Sequence, residues 1–154
     1  MLEKDIFNLL TRKKKTLSVA ESATGGLISH RLTNVAGSSL YFVLGVVSYS
    51  NKAKMSFLKV PENTIKNYGA VSRQTALSMA KNLRSIAGTD FSLAISGIAG
   101  PTGATSQKPL GLFYIALSSK NRNICQKFIF KGKRLEIKKK ATQRALILLK
   151  KFIS

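Results

Sequence analysis

The chain is poor in the residues that usually advertise a site. Its 154 residues include one cysteine, one histidine, three prolines and no tryptophan. A single cysteine, Cys125, excludes an internal disulfide, and Cys125 with His30 is too thin a donor set for a metal site. His30 falls inside a helical pattern rather than at the end of a strand. A Ser-His-Asp triad therefore has no histidine to use, and nucleophilic chemistry would need a different base. No apolar run approaches the ~20 residues of a membrane-spanning helix. The start, Met-Leu-Glu-Lys-Asp-Ile-Phe-Asn, carries acids and lacks the charged-then-apolar order of a signal peptide. The expected location is the cytoplasm, with no membrane partner.

Acidic residues are scarce as well. Six Asp and Glu stand against 26 Lys and Arg, a formal charge of +20. Such a balance raises nucleic acid as a partner. However, 19 of the cations are lysine and 7 are arginine, and they are scattered. Specific nucleic-acid readers lean on arginine and aromatic platforms, and no RNP-like or zinc-finger pattern occurs. A lysine-enriched surface accounts for the charge more simply. Loose adhesion to polyanions at low salt is still expected, without a specific nucleic-acid partner.

What is present is an ordinary globular composition, 44% hydrophobic, in a chain long enough to bury its own core. One domain spanning residues 1–154 is expected, with no repeat and no low-complexity linker. Leu2, Ile6, Leu9 and Leu10 mark an N-terminal helix, and residues 16–21 the first strand. Residues 24–34 read as a helix and 40–50 as a long strand whose Gly45 suggests a bulge or close approach. Asn51 would cap a short helix ending at Leu58, and Pro61-Glu62 opens another that stops at Gly69. Ser72 caps a longer helix ending at Gly88. Strands follow at 91–96, 112–118 and 124–130, and a last helix begins near Lys133. Helices separate the early strands, whereas the late strands form hairpins. The fold class is α/β: a three-layer α/β/α sandwich with a mixed, mostly parallel sheet.

The chain is organised around Leu17–Gly26, Leu-Ser-Val-Ala-Glu-Ser-Ala-Thr-Gly-Gly. A buried strand ends in Glu21-Ser22 and turns through Thr24-Gly25-Gly26 into a helix. Glycines admit a ligand close to the backbone, and the first N–H groups of a helix lack internal partners. Two further strand ends carry polar content: Tyr49-Ser50-Asn51 with Lys54, and Ser96-Gly97 through Gly100 to Gly103. If these strands are parallel, all three loops face one crevice. Acyl transfer then has its parts: Ser22 as nucleophile, glycine-turn N–H groups for an oxyanion, and Lys54 as a base if desolvation or a neighbouring cation lowers its pKa. Tyr49, five residues before Lys54, could relay a proton to it. Each element also has a plainer reading, as an N-cap at Ser22 or Thr24, a half-buried strand tyrosine, a solvated lysine or a tight turn.

The ordered motifs resemble a known family, the C-terminal domain of the competence/damage-inducible CinA proteins, which also occurs as a stand-alone nicotinamide-nucleotide amidase (PncC-like). Ala-Glu-Ser-Cys-Thr-Gly-Gly corresponds to Ala20–Gly26, Tyr-Ser-Asn-x-x-Lys to Tyr49–Lys54, Gly-Ala-Val-Ser to Gly69–Ser72, and Gly-Ile-Ala-Gly-Pro to Gly97–Pro101. Lys108-Pro109 and Gly111 follow. The larger members carry an extra N-terminal domain, so this chain looks like the stand-alone form.

The resemblance implies hydrolysis of the carboxamide of nicotinamide mononucleotide, without a metal or other cofactor, by a homo-oligomer. It places the nucleophile on Ser22 with Tyr49 and Lys54 as partners. Substrate contacts are expected from Glu21, Thr24, Gly25, Gly26, Ser96, Gly97, Gly100, Lys108 and Arg134. Two departures stand out. Ala23 replaces the usual cysteine, and Ala104 stands where glycine is frequent, which would strain the loop if position 104 required a positive φ.

Overall fold

The computed structural model describes residues 1–154. Its elements run α1 (Leu2–Arg12), β1 (Leu17–Glu21), α2 (Leu27–Thr33), a 3-10 turn (Ser38–Leu40), β2 (Phe42–Val47), α3 (Asn51–Leu58), α4 (Glu62–Tyr68), α5 (Arg73–Ala87), β3 (Phe91–Gly97), β4 (Leu112–Ser119), β5 (Asn123–Ile129) and α6 (Arg134–Ile153). The sheet order is β2-β1-β3-β4-β5. β1 is parallel to both β2 and β3, whereas β4 is antiparallel to β3 and to β5. The three strands whose ends carry the polar loops are thus adjacent and point the same way.

Strand alternation sorts the side chains into two layers. Leu17, Val19, Leu93, Ile95, Phe113, Ile115 and Leu117 pack in one buried cluster with residues of α1, α2 and α6. The other face is built of small residues. Ala20, Ala94 and Ala116 cluster with Ala76, Met79, Ala80 and Leu83 of α5, with Leu58 at the end of α3 and with Val60 just beyond it. Ser18, Ser92 and Ser118 share the parity of these alanines and are fully buried. Small side chains let α5 lie close against the sheet, and hydroxyls facing it must find acceptors. Ser92 Oγ donates to the Ala80 carbonyl of α5.

Local signals in the sequence account for most element ends. Ser72 Oγ accepts from Thr75 N, and Gly88 closes α5 with φ +64°. The cap of α3 is Ser50, whose Oγ accepts from Ala53 N, one residue before the expected Asn51. The strand expected over 40–50 is shorter, since residues 38–40 form a 3-10 turn. The register between β1 and β2 slips at Val43, between the pairs Leu17–Phe42 and Ser18–Leu44. Gly45 is a close approach instead, because a Cβ there would lie 2.7 Å from Ser29 Oγ. Gly97 is another, since a Cβ would enter the ring of its cross-strand partner Phe113. No helix is long and apolar enough to cross a membrane.

Candidate active site

β1, β2 and β3 deliver their carboxyl ends to one cavity of about 260 Å³. Ser22 follows β1, Tyr49 follows β2, and Ser96 and Gly97 end β3. The loop from Ile98 to Gly103 forms one wall, α3 brings Lys54, and the first residue of α6, Arg134, closes the mouth.

Lys54 is the unusual residue. It is 1% exposed, and its ammonium nitrogen reaches three oxygens: Ser48 O at 2.8 Å, Tyr49 O at 3.1 Å and Ser22 Oγ at 3.1 Å. Burial lowers its pKa from 10.5 to about 8, because no carboxylate is present to compensate the desolvated charge. In the neutral form the two N–H bonds go to the two carbonyls and the lone pair is left for the Ser22 hydroxyl. Ser22 is itself buried, at the end of the strand turn. The pair therefore has the geometry of a nucleophile and its base.

Tyr49 is 57% exposed, and its hydroxyl accepts from Arg134 Nη2 at 3.0 Å. The other arm of Arg134 donates to the Gly100 carbonyl at 2.7 Å. Lys54 meets the tyrosine's backbone carbonyl rather than its hydroxyl, so the expected Tyr49-to-Lys54 relay has no direct path. Ser96 Oγ donates to the Ala70 carbonyl at 2.7 Å, which ties the end of β3 to the Gly69–Ser72 turn.

Several expected contacts lie elsewhere. Glu21 is fully buried on the opposite face of the sheet from Ser22. Its carboxylate accepts from Thr24 Oγ1 at 2.7 Å, Ile28 N at 2.9 Å, Ser29 N at 3.0 Å and Ser29 Oγ at 2.8 Å. Glu21 thus caps α2, and Thr24 is committed to it. Gly25 and Gly26, at φ +63° and +101°, make the left-handed turn into that helix and do not line the cavity. The α2 N-terminus is occupied by an internal anion and is not open to a ligand. Lys108 is also displaced: its ammonium donates to the Tyr68 carbonyl at 2.5 Å, and partial burial lowers its pKa. The positive φ values of the loop fall on Gly100 and Gly103 and not on Ala104, so alanine at 104 carries no left-handed backbone strain.

The sequence reading missed Ser48, whose carbonyl takes the shortest of the three Lys54 bonds. It also assigns no site role to Asn51, Ala70, Val71 or Thr102, all of which line the cavity, although Asn51 stands in one of its polar strand ends. The Gly-Ala-Val-Ser motif could have pointed to Ala70 and Val71. A backbone acceptor such as Ser48 O leaves no sequence signal. The N–H groups of Ala23, Ala99 and Gly100 have no backbone acceptor, which leaves donors free beside Ser22 and along the loop.

The CinA C-terminal domain family model matches residues 1–153. The chain belongs to the CinA C-terminal domain family. A CinA-like protein of Syntrophus aciditrophicus is 47% identical over 154 residues, covering 99% of this chain and 37% of that protein. A CinA-like protein of Endomicrobium trichonymphae is 46% identical over 143 residues, covering 93% of this chain and 33% of that protein. This chain therefore spans about a third of the length of these relatives. Among solved structures, a competence or damage-inducible protein from Enterobacter asburiae superposes with TM-score 0.96 at 33% identity, covering 99% of this chain and 96% of that one. A competence/damage inducible protein from Agrobacterium tumefaciens gives TM-score 0.91 at 37% identity, covering 96% and 93%. The CinA-type fold therefore holds across the chain.

Proposed function

We propose that this CinA-type domain is an amidohydrolase that converts nicotinamide mononucleotide to nicotinate mononucleotide and ammonia through a Ser22 acyl-enzyme. The observation that carries the reading is the 3.1 Å contact between the desolvated Lys54 amine and Ser22 Oγ. The choice of substrate rests on the family resemblance.

In the first half-reaction neutral Lys54 takes the Ser22 proton as Oγ attacks the carboxamide carbon. Negative charge gathers on the carboxamide oxygen, within reach of free N–H groups of the Ser22 turn and the glycine loop. The ammonium of Lys54 then returns its proton to the amide nitrogen, the C–N bond breaks, and ammonia leaves. In the second half-reaction Lys54 takes a proton from water, hydroxide attacks the ester, and Ser22 regains its proton as nicotinate forms. Arg134, held by Gly100 and Tyr49, supplies a charge at the mouth suited to the substrate phosphate.

Ammonia release from nicotinamide mononucleotide should be measured for the wild type beside Ser22→Ala. Release by the wild type is expected, with at least a thousandfold loss in the variant and little change in melting temperature. Wild-type activity in Ser22→Ala would overturn the mechanism. No release from either, with the nucleotide still raising the melting temperature, would leave a silent nucleotide binder of the same fold.

A further inference from the structure

A cleft larger than the candidate active site lies elsewhere on the molecule. It is a furrow of about 760 Å³ between α2 and α6. Its floor is apolar, formed by Leu27, Phe130 and Ile147, and no acidic residue lines it. Its rim carries Lys139, Lys140 and Arg144, all exposed. Arg31 also borders it but is engaged by Glu3 at 2.5 Å.

The charge continues beyond the cleft. α6 carries seven cations and one acid, and that acid, Glu136, accepts from the backbone N–H of Lys133 at the helix start. Lys133, Lys140, Arg144 and Lys151 recur at spacings of seven, four and seven, which places them on one helical face. That stripe is ~27 Å long at the helical rise of 1.5 Å per residue. No ion pair touches any of the four: the three ion pairs of the molecule are Lys15–Asp90, Arg31–Glu3 and Lys150–Asp5.

We propose that the α2–α6 cleft and the α6 stripe bind single-stranded nucleic acid. The complementary partner must be an extended anion with repeating charge, because the stripe is longer than the cleft. It must also bring flat apolar groups, because the floor offers Leu27, Phe130 and Ile147 beneath the cationic rim. A single strand supplies both, with phosphates on the rim and unstacked bases against the floor. A duplex hides its bases and cannot fill the floor. The scattered lysines of the sequence are thus partly gathered by the fold. The proposal departs from the expectation of no specific nucleic-acid partner and does not rest on the amidase reading.

The test uses a fluorescent twelve-residue oligothymidylate and fluorescence anisotropy at several salt concentrations. Two variants remove the same charge: Lys140→Glu with Arg144→Glu in the cleft, and Lys66→Glu with Lys81→Glu on the opposite layer. The cleft variant should lose at least tenfold in affinity and the control less than twofold. The cleft variant should also flatten the slope of log affinity against log salt by about 1.4, since each single-strand phosphate contact contributes ~0.7. Both positions are exposed, and circular dichroism checks the fold. Should charge reversal disturb α6, Lys140→Gln with Arg144→Gln replaces it and should show a smaller loss in the same direction. Equal losses in the two variants would overturn the proposal. So would duplex binding as tight as the single strand, or displacement of the strand by poly-glutamate of matching charge, which would mark a non-selective cationic surface.

Discussion

Lys54 holds three acceptors, and at most three N–H bonds are available to a protonated amine, so the geometry alone does not choose its protonation state. Burial brings the pKa down to about 8, so the ammonium predominates below that pH and the neutral amine above it. Two predictions follow from that one number. If neutral Lys54 is the base, kcat/KM rises about tenfold per pH unit below pH 8 and levels above it. A profile flat from pH 6 to 9 would remove Lys54 from that role. Lys54→Arg, which cannot give up a proton in this range, should be inactive. The second prediction concerns stability. The folded pKa lies below the ordinary 10.5, so both states are neutral above pH 10.5 and no cost arises there. The cost of burying the ammonium grows as pH falls from 10.5 to 8, and is complete below, at about 3 kcal/mol for a shift of this size. Lys54→Met carries no such cost. The unfolding free energy of the wild type should therefore gain about 2 kcal/mol relative to Lys54→Met between pH 7 and pH 10, measured by urea unfolding. A difference independent of pH would mean that the lysine is solvated in the folded state.

The turn between β1 and α2 separates what the sequence made legible from what it did not. Strand ends and spacing point to Ser22, Lys54 and Ser96, the family resemblance adds Arg134, and the cavity gathers all four. Glu21 belongs to the same polar strand end as Ser22, and the resemblance adds it to the expected substrate contacts. Consecutive strand residues point to opposite faces. Ser22 has the parity of Ala20, on the α5 side, and Glu21 that of Val19, on the α2 side. Alternation alone places Glu21 away from the substrate side. The bonds that replace substrate could not have been read, because Ile28 and Ser29 come to Glu21 only once α2 folds back over the sheet. Lys108 and the Tyr49 hydroxyl were misplaced for the same reason, since long side chains on loops choose partners by tertiary position. The capping role has a measurable consequence. Glu21→Gln keeps the shape but turns an amide NH₂ toward N–H donors, and hydrogen bonds to charged groups are worth ~1.5–3 kcal/mol. The variant should lose about 2 kcal/mol in urea unfolding. Its kcat should fall more than its KM rises, because the turn that presents Ser22 loosens while the rest of the cavity stays. Unchanged stability would show that the buried carboxylate is not what holds α2.

At the scale of the whole molecule the question is how a chain of charge +20 stays folded. The sequence placed the core and the layers correctly because apolar periodicity is local, but the distribution of charge is a property of the folded surface. Only three ion pairs form, engaging three of the 26 cationic side chains. All are at least partly exposed, and pairs of this kind contribute about 0–1 kcal/mol each. The remaining cations repel one another over distances comparable to the Debye length, ~30 Å at 0.01 M salt and ~10 Å at 0.1 M. Unfolding separates them, so repulsion opposes the compact state. Screening should remove more repulsion than attraction. The melting temperature is therefore expected to rise with sodium chloride between 10 and 200 mM, by about 3–6 °C for ~1–2 kcal/mol in a domain of this size. A melting temperature that falls with salt would show that the few ion pairs, the α2 cap and the Lys54 contacts outweigh the repulsion among the free lysines. The same titration acts oppositely on the proposed α6 interaction, since salt weakens phosphate contacts while it stabilises the free protein. A strand that raises the melting temperature at 20 mM salt and not at 300 mM would bind as an electrostatic partner. One whose effect is independent of salt would not use the lysines at all.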